Sequence, residues 1–165
     1  MTTRKRNILV ALVAVIVAAV GILTITVGGD RTVTATHAVH EIAVNAEGVA
    51  LDGYDPVAYF TGDKSELGSL RFEHQWKNAK WRFANASNRD AFAADPEKYA
   101  PQYGGFCAFA LSVGAEPPAG SPTAWNIENG KLYLYTNKVA QILAKFLPHG
   151  TEKADKNWTT FSSHS

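Results

Sequence analysis

An uncharged apolar run near the N-terminus most constrains how this chain can fold. It extends from Ile8 to Val27, and it follows a basic cluster, Arg4 to Arg6. A helix of about 20 residues spans about 30 Å, the thickness of a bilayer's hydrocarbon core. Basic residues flanking such a helix stay in the cytoplasm. The sequence therefore predicts a basic cytoplasmic end at 1–7, a transmembrane anchor or uncleaved signal at 8–27, a tether at 28–40 and one domain at 41–165.

A cleaved signal peptide is the alternative interpretation of the same run. Signal peptides have an apolar region of about 7–15 residues, which is shorter than this one. Small residues that suit a cleavage site occur at Val33-Thr34-Ala35 and at Thr36-His37-Ala38. An anchor leaves the domain attached to the membrane on its periplasmic or extracellular side, whereas cleavage leaves it secreted. Both interpretations place the domain outside the cytoplasm.

The charge of the exported part argues against a nucleic-acid partner. Three of the sixteen Lys and Arg residues precede the apolar run, and Asp30 is the one acidic residue of fifteen outside 31–165. That segment therefore carries thirteen basic and fourteen acidic side chains, without the basic cluster that phosphate binding needs. The membrane, reached through the N-terminal helix, is the one partner that the sequence predicts.

Periodicity predicts an α+β domain in which a small antiparallel sheet of hairpins is covered by short helices. Phe72, His74 and Trp76 alternate along one strand, and Trp81 and Phe83 continue the same face after a turn at 77–80. Asn129-Gly130 is the dipeptide that a type I′ turn favours, so it predicts a second hairpin. No βαβ alternation is present, which favours α+β over a parallel sheet.

Helix signals separate and follow the hairpins. Ser87 with Asp90 predicts a capping box, and Asp95 with Pro96 predicts the start of a short helix. Thr151 is the predicted cap of a last helix that carries Ala154 and Trp158. Between them, five residues form one apolar stripe at helical spacing: Val139, Ile142, Leu143, Phe146 and Leu147.

Several motifs in order resemble the YHS-domain proteins. They are "GYDPVAYF", "NRDAFAADPEKYAPQYGGFCAFA", "W-x-I-x-x-GKLYL" and "AD-x-x-W", and they cover Leu51 to Trp158. The resemblance is closest to the exported, single-domain branch with the signature Tyr-Gly-Gly-aromatic-Cys-Ala. It implies a compact α+β module of a kind that often accompanies copper or heavy-metal transport proteins.

The sequence departs from that family at two places. In the metal-binding branch, a strand end and the following helix supply two cysteines, and here Ala84 and Asn88 stand at those positions. Relatives often carry a Trp and an acidic residue in the helix that here reads "KVAQILAKFLP". The resemblance therefore implies a soft-metal site only if Cys107, the single cysteine, contributes to it.

Cys107 has three interpretations. It is a small apolar core residue, a thiolate ligand for copper or zinc, or a reactive thiol with a depressed pKa. His74, between Phe72 and Trp76, is its best candidate partner in a metal site, although a hydrogen-bonded core histidine is the simpler interpretation. Tyr99 and Tyr103 flank Gly104 and Gly105, which permit a sharp turn. We expect these four residues to line a small ligand cleft.

These residues lead to one functional hypothesis and two alternatives. The hypothesis is a membrane-tethered, extracytoplasmic binding module that holds a metal ion or small ligand near Cys107. The alternatives are a thiol-dependent redox enzyme that uses Cys107, and a structural or interaction domain without a ligand. Signature motifs of serine hydrolases, zinc proteases, phosphate loops and dinucleotide-binding enzymes are absent from the sequence, which favours binding over catalysis.

Overall fold

The computed structural model describes residues 41–163, which form an α+β fold. Its strands are β1 (Ser69–Trp76), β2 (Ala79–Phe83), β3 (Ser121–Glu128) and β4 (Lys131–Tyr135). Its α-helices are α1 (Ala58–Thr61), α2 (Ala86–Ala94), α3 (Pro96–Tyr99), α4 (Ala108–Ser112), α5 (Lys138–Ala144) and α6 (Gly150–Ser163). Short 3₁₀ turns occur at Leu51–Gly53 and Gln102–Gly105. The predicted fold class is confirmed at this level.

The strands form two separate antiparallel sheets of two strands each, β1–β2 and β3–β4. In the first, Trp76 pairs with Ala79, so the turn is only Lys77-Asn78, shorter than predicted. Both turn residues have positive φ, 49° and 58°, as a tight hairpin requires. In the second, Glu128 pairs with Lys131, which confirms the turn predicted at Asn129-Gly130.

The centre of the core is an aromatic cluster between the first hairpin and α2. Trp81, Phe83 and Phe92 are fully buried, and the ring of Phe92 lies 5.0 Å from that of Trp81 and 5.2 Å from that of Phe83. Trp76 adds a perpendicular ring 5.8 Å from Phe92. Such aromatic pairs contribute about 0.5–1.5 kcal/mol each beyond the area that they bury.

Two predicted helix starts are wrong and one is confirmed. Helix α2 begins after Asn85, whose side-chain oxygen accepts a hydrogen bond from the Asn88 amide at 2.9 Å. Ser87 therefore lies inside the helix, because the extended backbone at Asn85 already supplies the cap. Helix α6 likewise begins at Gly150, before Thr151. Asp95 does cap α3, with Pro96 at its first position.

The apolar stripe of α5 is only partly buried. Asn137 caps this helix by accepting from the Ala140 amide at 2.9 Å. Val139, Ile142 and Phe146 are exposed, whereas Leu143 and Leu147 are half-buried.

None of the helices within residues 41–163 has the length and apolar character needed to cross a membrane. The predicted basic end, anchor and tether, residues 1–40, lie outside the described residues.

Candidate functional site

The Tyr-Gly-Gly segment forms a turn of three successive residues with positive φ. The values are 56° at Tyr103, 58° at Gly104 and 88° at Gly105. A side chain at position 104 would overlap the carbonyl oxygen of Glu41, so only glycine fits there. The Gly104 carbonyl accepts a hydrogen bond of 2.8 Å from the Ala43 amide. The turn thus holds the start of the domain in place.

Cys107 lies just after this turn and is enclosed by backbone. Its amide donates to the Pro118 carbonyl at 2.9 Å, and its Sγ accepts from the Thr136 amide at 3.3 Å. The residue is 1 % exposed, and its backbone forms an isolated parallel bridge with Leu134 of β4. These contacts are those of a core residue that joins the turn to the second sheet.

Tyr103 and Tyr99 occupy different environments. The Tyr103 hydroxyl donates to Asp155 Oδ1 on α6 at 2.8 Å, and its ring packs 5.8 Å from Tyr133 and 6.0 Å from Trp158. Burial raises the pKa of Tyr103, and the hydrogen bond to Asp155 raises it further. Tyr99 instead packs edge-on against Phe60 at 5.5 Å.

The structure has a cleft of about 250 Å³ at the predicted position, beside the Gly-Gly turn. Tyr103 and Gly104 line it, but Tyr99 and Gly105 do not. Lys77 lies at its edge, bonded to Glu41 at 3.3 Å and Glu97 at 3.1 Å. The Lys77 ammonium group is therefore already paired with two carboxylates of the domain.

His74 and Cys107 contact different parts of the domain. His74 is half-buried on β1, paired with Trp81 and with its ring 6.0 Å from Phe92, whereas Cys107 lies against β4. Among residues 41–163, no group of three or more His, Cys, Asp or Glu side chains is arranged to hold a metal ion. The donors present do not fit an enclosed copper or zinc site, and the two-residue site stays a prediction.

The positions where the resemblance implies metal thiols are used differently here. Asp55 is completely buried, and its Oδ2 accepts from the Ala84 amide at 2.9 Å and from Asn88 Nδ2 at 2.6 Å. Its Oδ1 accepts from the Val57 amide at 2.8 Å. This network joins the "GYDPVAYF" segment to the end of β2 and the start of α2, and it satisfies a buried carboxylate that would otherwise be costly.

A larger cleft of about 400 Å³ was not predicted. It lies among α4, β4, the connection from α5 to α6, and the first turns of α6. Its apolar walls and its polar groups are contributed by Ala108, Ser112, Glu128, Tyr135, Ala144, Lys145, Leu147, His149, Gly150, Thr151 and Ala154. Two of these residues adjoin the Cys107 contacts in sequence: Ala108 follows Cys107, and Tyr135 precedes Thr136, whose amide donates to Cys107 Sγ. The cleft is assembled from distant segments, so no local pattern indicates it.

Tyr135 is the most distinctive group of this larger cleft. It is 5 % exposed, and its hydroxyl accepts a hydrogen bond of 3.5 Å from Asn126 Nδ2. Burial raises its pKa, the hydrogen bond from Asn126 lowers it, and the nearby charge of Glu128 raises it again, for a net increase. The group is therefore a neutral phenol at physiological pH. None of residues 41–163 accepts its proton, so Tyr135 has an unused donor.

The other polar groups of the cleft differ in how far they are engaged. The Ser112 hydroxyl donates to the Phe109 carbonyl at 2.7 Å. His149 Nδ1 lies 3.1 Å from Glu152 Oε2, with both side chains largely exposed. Lys145 forms no ion pair with any described residue. A cation and an unused hydroxyl donor thus share one cleft, and both suit a ligand with acceptor oxygens.

Comparisons of the chain with models of known protein families, with curated proteins and with solved structures find no match.

Proposed function

We propose that this chain is a membrane-tethered, extracytoplasmic YHS-domain binding module that holds a small carboxylate or carbonyl ligand in the larger cleft beside Cys107. The observation that carries the proposal is Tyr135, which lines the cleft and whose hydroxyl proton has no acceptor within residues 41–163. A hydroxyl that lines an open cleft can donate to water when no ligand is bound, so a ligand oxygen that accepts this proton replaces that water and fixes the ligand's orientation.

The rest of the cleft supports the same ligand class. Its volume of about 400 Å³ is in the range of small-molecule sites. Ala144, Leu147 and Ala154 supply an apolar wall for the body of the ligand. Lys145 supplies a charge opposite to that of a carboxylate, and Glu128, which also lines the cleft, disfavours ligands with more than one negative charge.

Cys107 has a supporting role in this proposal. Its Sγ holds the amide of Thr136, the residue next to Tyr135, at 3.3 Å. Cys107 therefore positions the end of β4 and does not contact the ligand. The membrane location depends on the predicted anchor at 8–27, and extraction of the full chain from membranes only by detergent, not by alkaline carbonate, supports it.

The ligand site is tested by saturation-transfer difference NMR with a set of small monocarboxylic acids and matched amides. The full chain in lipid nanodiscs is compared with Tyr135→Phe and, as a matched control, Tyr133→Phe. Tyr133 is a buried tyrosine on the same strand that does not line the cleft. We expect binders whose affinity falls about tenfold in Tyr135→Phe and stays within about twofold in Tyr133→Phe.

Two outcomes contradict the proposed site. One is the absence of any binder in the set. The other is a set of binders that lose the same affinity in both variants, since a general loosening of β4 would act on both tyrosines.

A further inference from the structure

Helix α5 presents an apolar face that no described residue covers. Val139 is 64 % exposed, Ile142 is 55 % exposed and Phe146 is 76 % exposed. They stand three and four positions apart, so they lie on one side of the helix and the turn that continues it. The larger cleft is lined by other residues of this segment, Ala144, Lys145 and Leu147. The apolar face is therefore separate from the proposed ligand contacts, except for Lys145 at its border.

The charged side chains within the segment that forms this face, residues 138–146, are both positive, whereas Asp63 and Glu128 line a neighbouring hollow together with Lys145. Lys138 is four residues before Ile142 and Lys145 is three residues after it, so both lie at the same border of the face. Both side chains are exposed, and neither forms an ion pair with a described residue. No Asp or Glu occurs in the sequence between Glu128 and Glu152. An apolar face with a lysine border is typical of helices that lie at a membrane interface.

We propose that this face of α5 rests on the surface of the membrane to which the chain is tethered. Val139, Ile142 and Phe146 would enter the boundary between headgroups and acyl chains, and Lys138 and Lys145 would contact lipid phosphates. The proposal rests on the location given in the proposed function. It does not depend on the ligand cleft.

The length of the predicted tether permits this contact. Residues 28–40 can span at most about 45 Å, at about 3.3–3.6 Å per residue. A compact domain of the size of residues 41–163 has a radius of gyration of about 14 Å. A fully extended tether is therefore longer than the domain is wide, so faces other than the one next to Glu41 can reach the bilayer. Among the faces within reach, composition selects the one that stays there.

A second copy of the chain is a poorer occupant of this face. In a twofold symmetric dimer with antiparallel α5 helices the same patch meets itself, and the lysine borders of the two copies would approach each other. The segment contains no carboxylate that could offset their repulsion. Anionic lipid headgroups supply the opposite charge without that conflict.

The test measures the depth of α5 with a fluorescent probe and lipid-borne quenchers. Val139→Cys is labelled with an NBD fluorophore in the full chain, in vesicles of phosphatidylcholine and phosphatidylglycerol with doxyl-labelled lipid. Leu67→Cys is the matched control, because Leu67 is also 64 % exposed but lies before β1. Cys107 is buried, so the introduced cysteine is labelled selectively.

We expect at least about twofold stronger quenching at position 139 than at position 67, with a blue-shifted emission at 139. Adding Phe146→Glu and Ile142→Glu to the Val139 probe should remove the difference. Equal quenching at the two positions overturns the proposal. So does a signal at 139 that rises with the protein-to-lipid ratio, which identifies a second copy as the occupant.

Flotation of the same samples with the vesicles tests the membrane location of the chain separately from the membrane contact of α5. Chains that float but show no extra quenching at 139 overturn the membrane contact of α5 and leave the proposed location intact. Chains that do not float overturn both. Carboxylate binding is read separately from the Tyr135 variants, and a lipid-facing α5 does not require it.

Discussion

The two hairpins of this domain have the same construction and different surroundings. Each joins two antiparallel strands through a two-residue turn with positive φ, Lys77-Asn78 in the first and Asn129-Gly130 in the second. The first hairpin packs its aromatic residues against Phe92 and forms the aromatic centre of the core. The second lies beside three helices that leave a cleft and an exposed apolar face.

The region around the first hairpin is filled by buried side chains, whereas the region around the second contains a cleft that a ligand could enter. Around the first hairpin, Trp81, Phe83 and Phe92 fill the available space. Around the second, α4 has five residues and α5 has seven. Short helices cannot cover a sheet completely, and the uncovered space is the cleft with Tyr135 at its wall. We therefore expect substitutions near the first hairpin to affect folding and substitutions near the second to affect binding.

The largest effect is expected for Phe92→Ala. Phe92 is fully buried and contacts the rings of Trp76, Trp81 and Phe83. Removing a buried Phe ring costs about 3–5 kcal/mol of the free energy of unfolding. Phe146→Ala is the matched control, and its cost should stay below about 0.5 kcal/mol because the side chain is exposed. Urea unfolding followed by tryptophan fluorescence measures the free energy of unfolding of both variants. Similar losses in the two variants would contradict the difference proposed between the two hairpin regions.

Gly104→Ala should be the next most damaging change. A Cβ at this position overlaps the Glu41 carbonyl, and φ is positive. Gly130 also has positive φ but no atom within 4 Å of a Cβ, so Gly130→Ala isolates the backbone strain of about 1 kcal/mol. We expect Gly104→Ala to cost about 2 kcal/mol more than Gly130→Ala in urea unfolding. Equal costs would mean that residues 41–43 move away without penalty.

Cys107→Ser should destabilise the chain by about 1–2 kcal/mol, because it replaces a buried sulfur that accepts from the Thr136 amide. The native thiol should react with a maleimide at least about 100-fold more slowly than the thiol of the urea-unfolded chain, since reaction requires local opening. Native labelling as fast as that of the unfolded chain would instead support the hypothesis of a thiol-dependent enzyme.

A smaller effect is expected from alkaline pH. Burial raises the pKa of Tyr59, Tyr103, Tyr133 and Tyr135, and all four lie outside residues 69–94, which contain no tyrosine. A raised pKa means that the folded state keeps protons that the unfolded state loses above about pH 10. Stability should therefore be unaffected by these groups below about pH 9 and should fall above pH 10.

Urea midpoints at pH 8 and pH 10.5 check this expectation, and Tyr103→Phe should reduce the difference between them. An unchanged difference in that variant would mean that the Tyr103–Asp155 pair does not couple folding to pH.

The sequence predicted the elements better than their assembly. Alternation around Trp76 and Trp81 and the Asn129-Gly130 dipeptide are local signals, and both hairpins are present as predicted. The division into two sheets depends on contacts between distant segments, which no local pattern specifies. The same holds for the exposure of Val139, Ile142 and Phe146, since helical spacing shows that apolar residues share a face but not what covers it.

The candidate site shows the same limit. Gly104 was predicted at a sharp turn because glycine permits positive φ, and it lies in one. Of the four residues predicted to line a ligand cleft, Tyr103 and Gly104 line a hollow and Tyr99 and Gly105 do not, and ligand binding there stays a prediction. Tyr135 was not predicted as a site residue, because its unused donor depends on which groups of α4, α5 and α6 surround it. A buried tyrosine in a strand gives no sequence signal of that kind.

The most direct test of the account is to locate the ligand on the domain by amide chemical-shift mapping. The full chain in nanodiscs is titrated with the strongest carboxylate binder that depends on Tyr135. We predict that the largest shifts occur at Tyr135, Ser112 and Thr151, around the larger cleft, and that the amides of β1 and β2 do not move. Largest shifts at His74 and its neighbours on β1 and β2 would contradict the account.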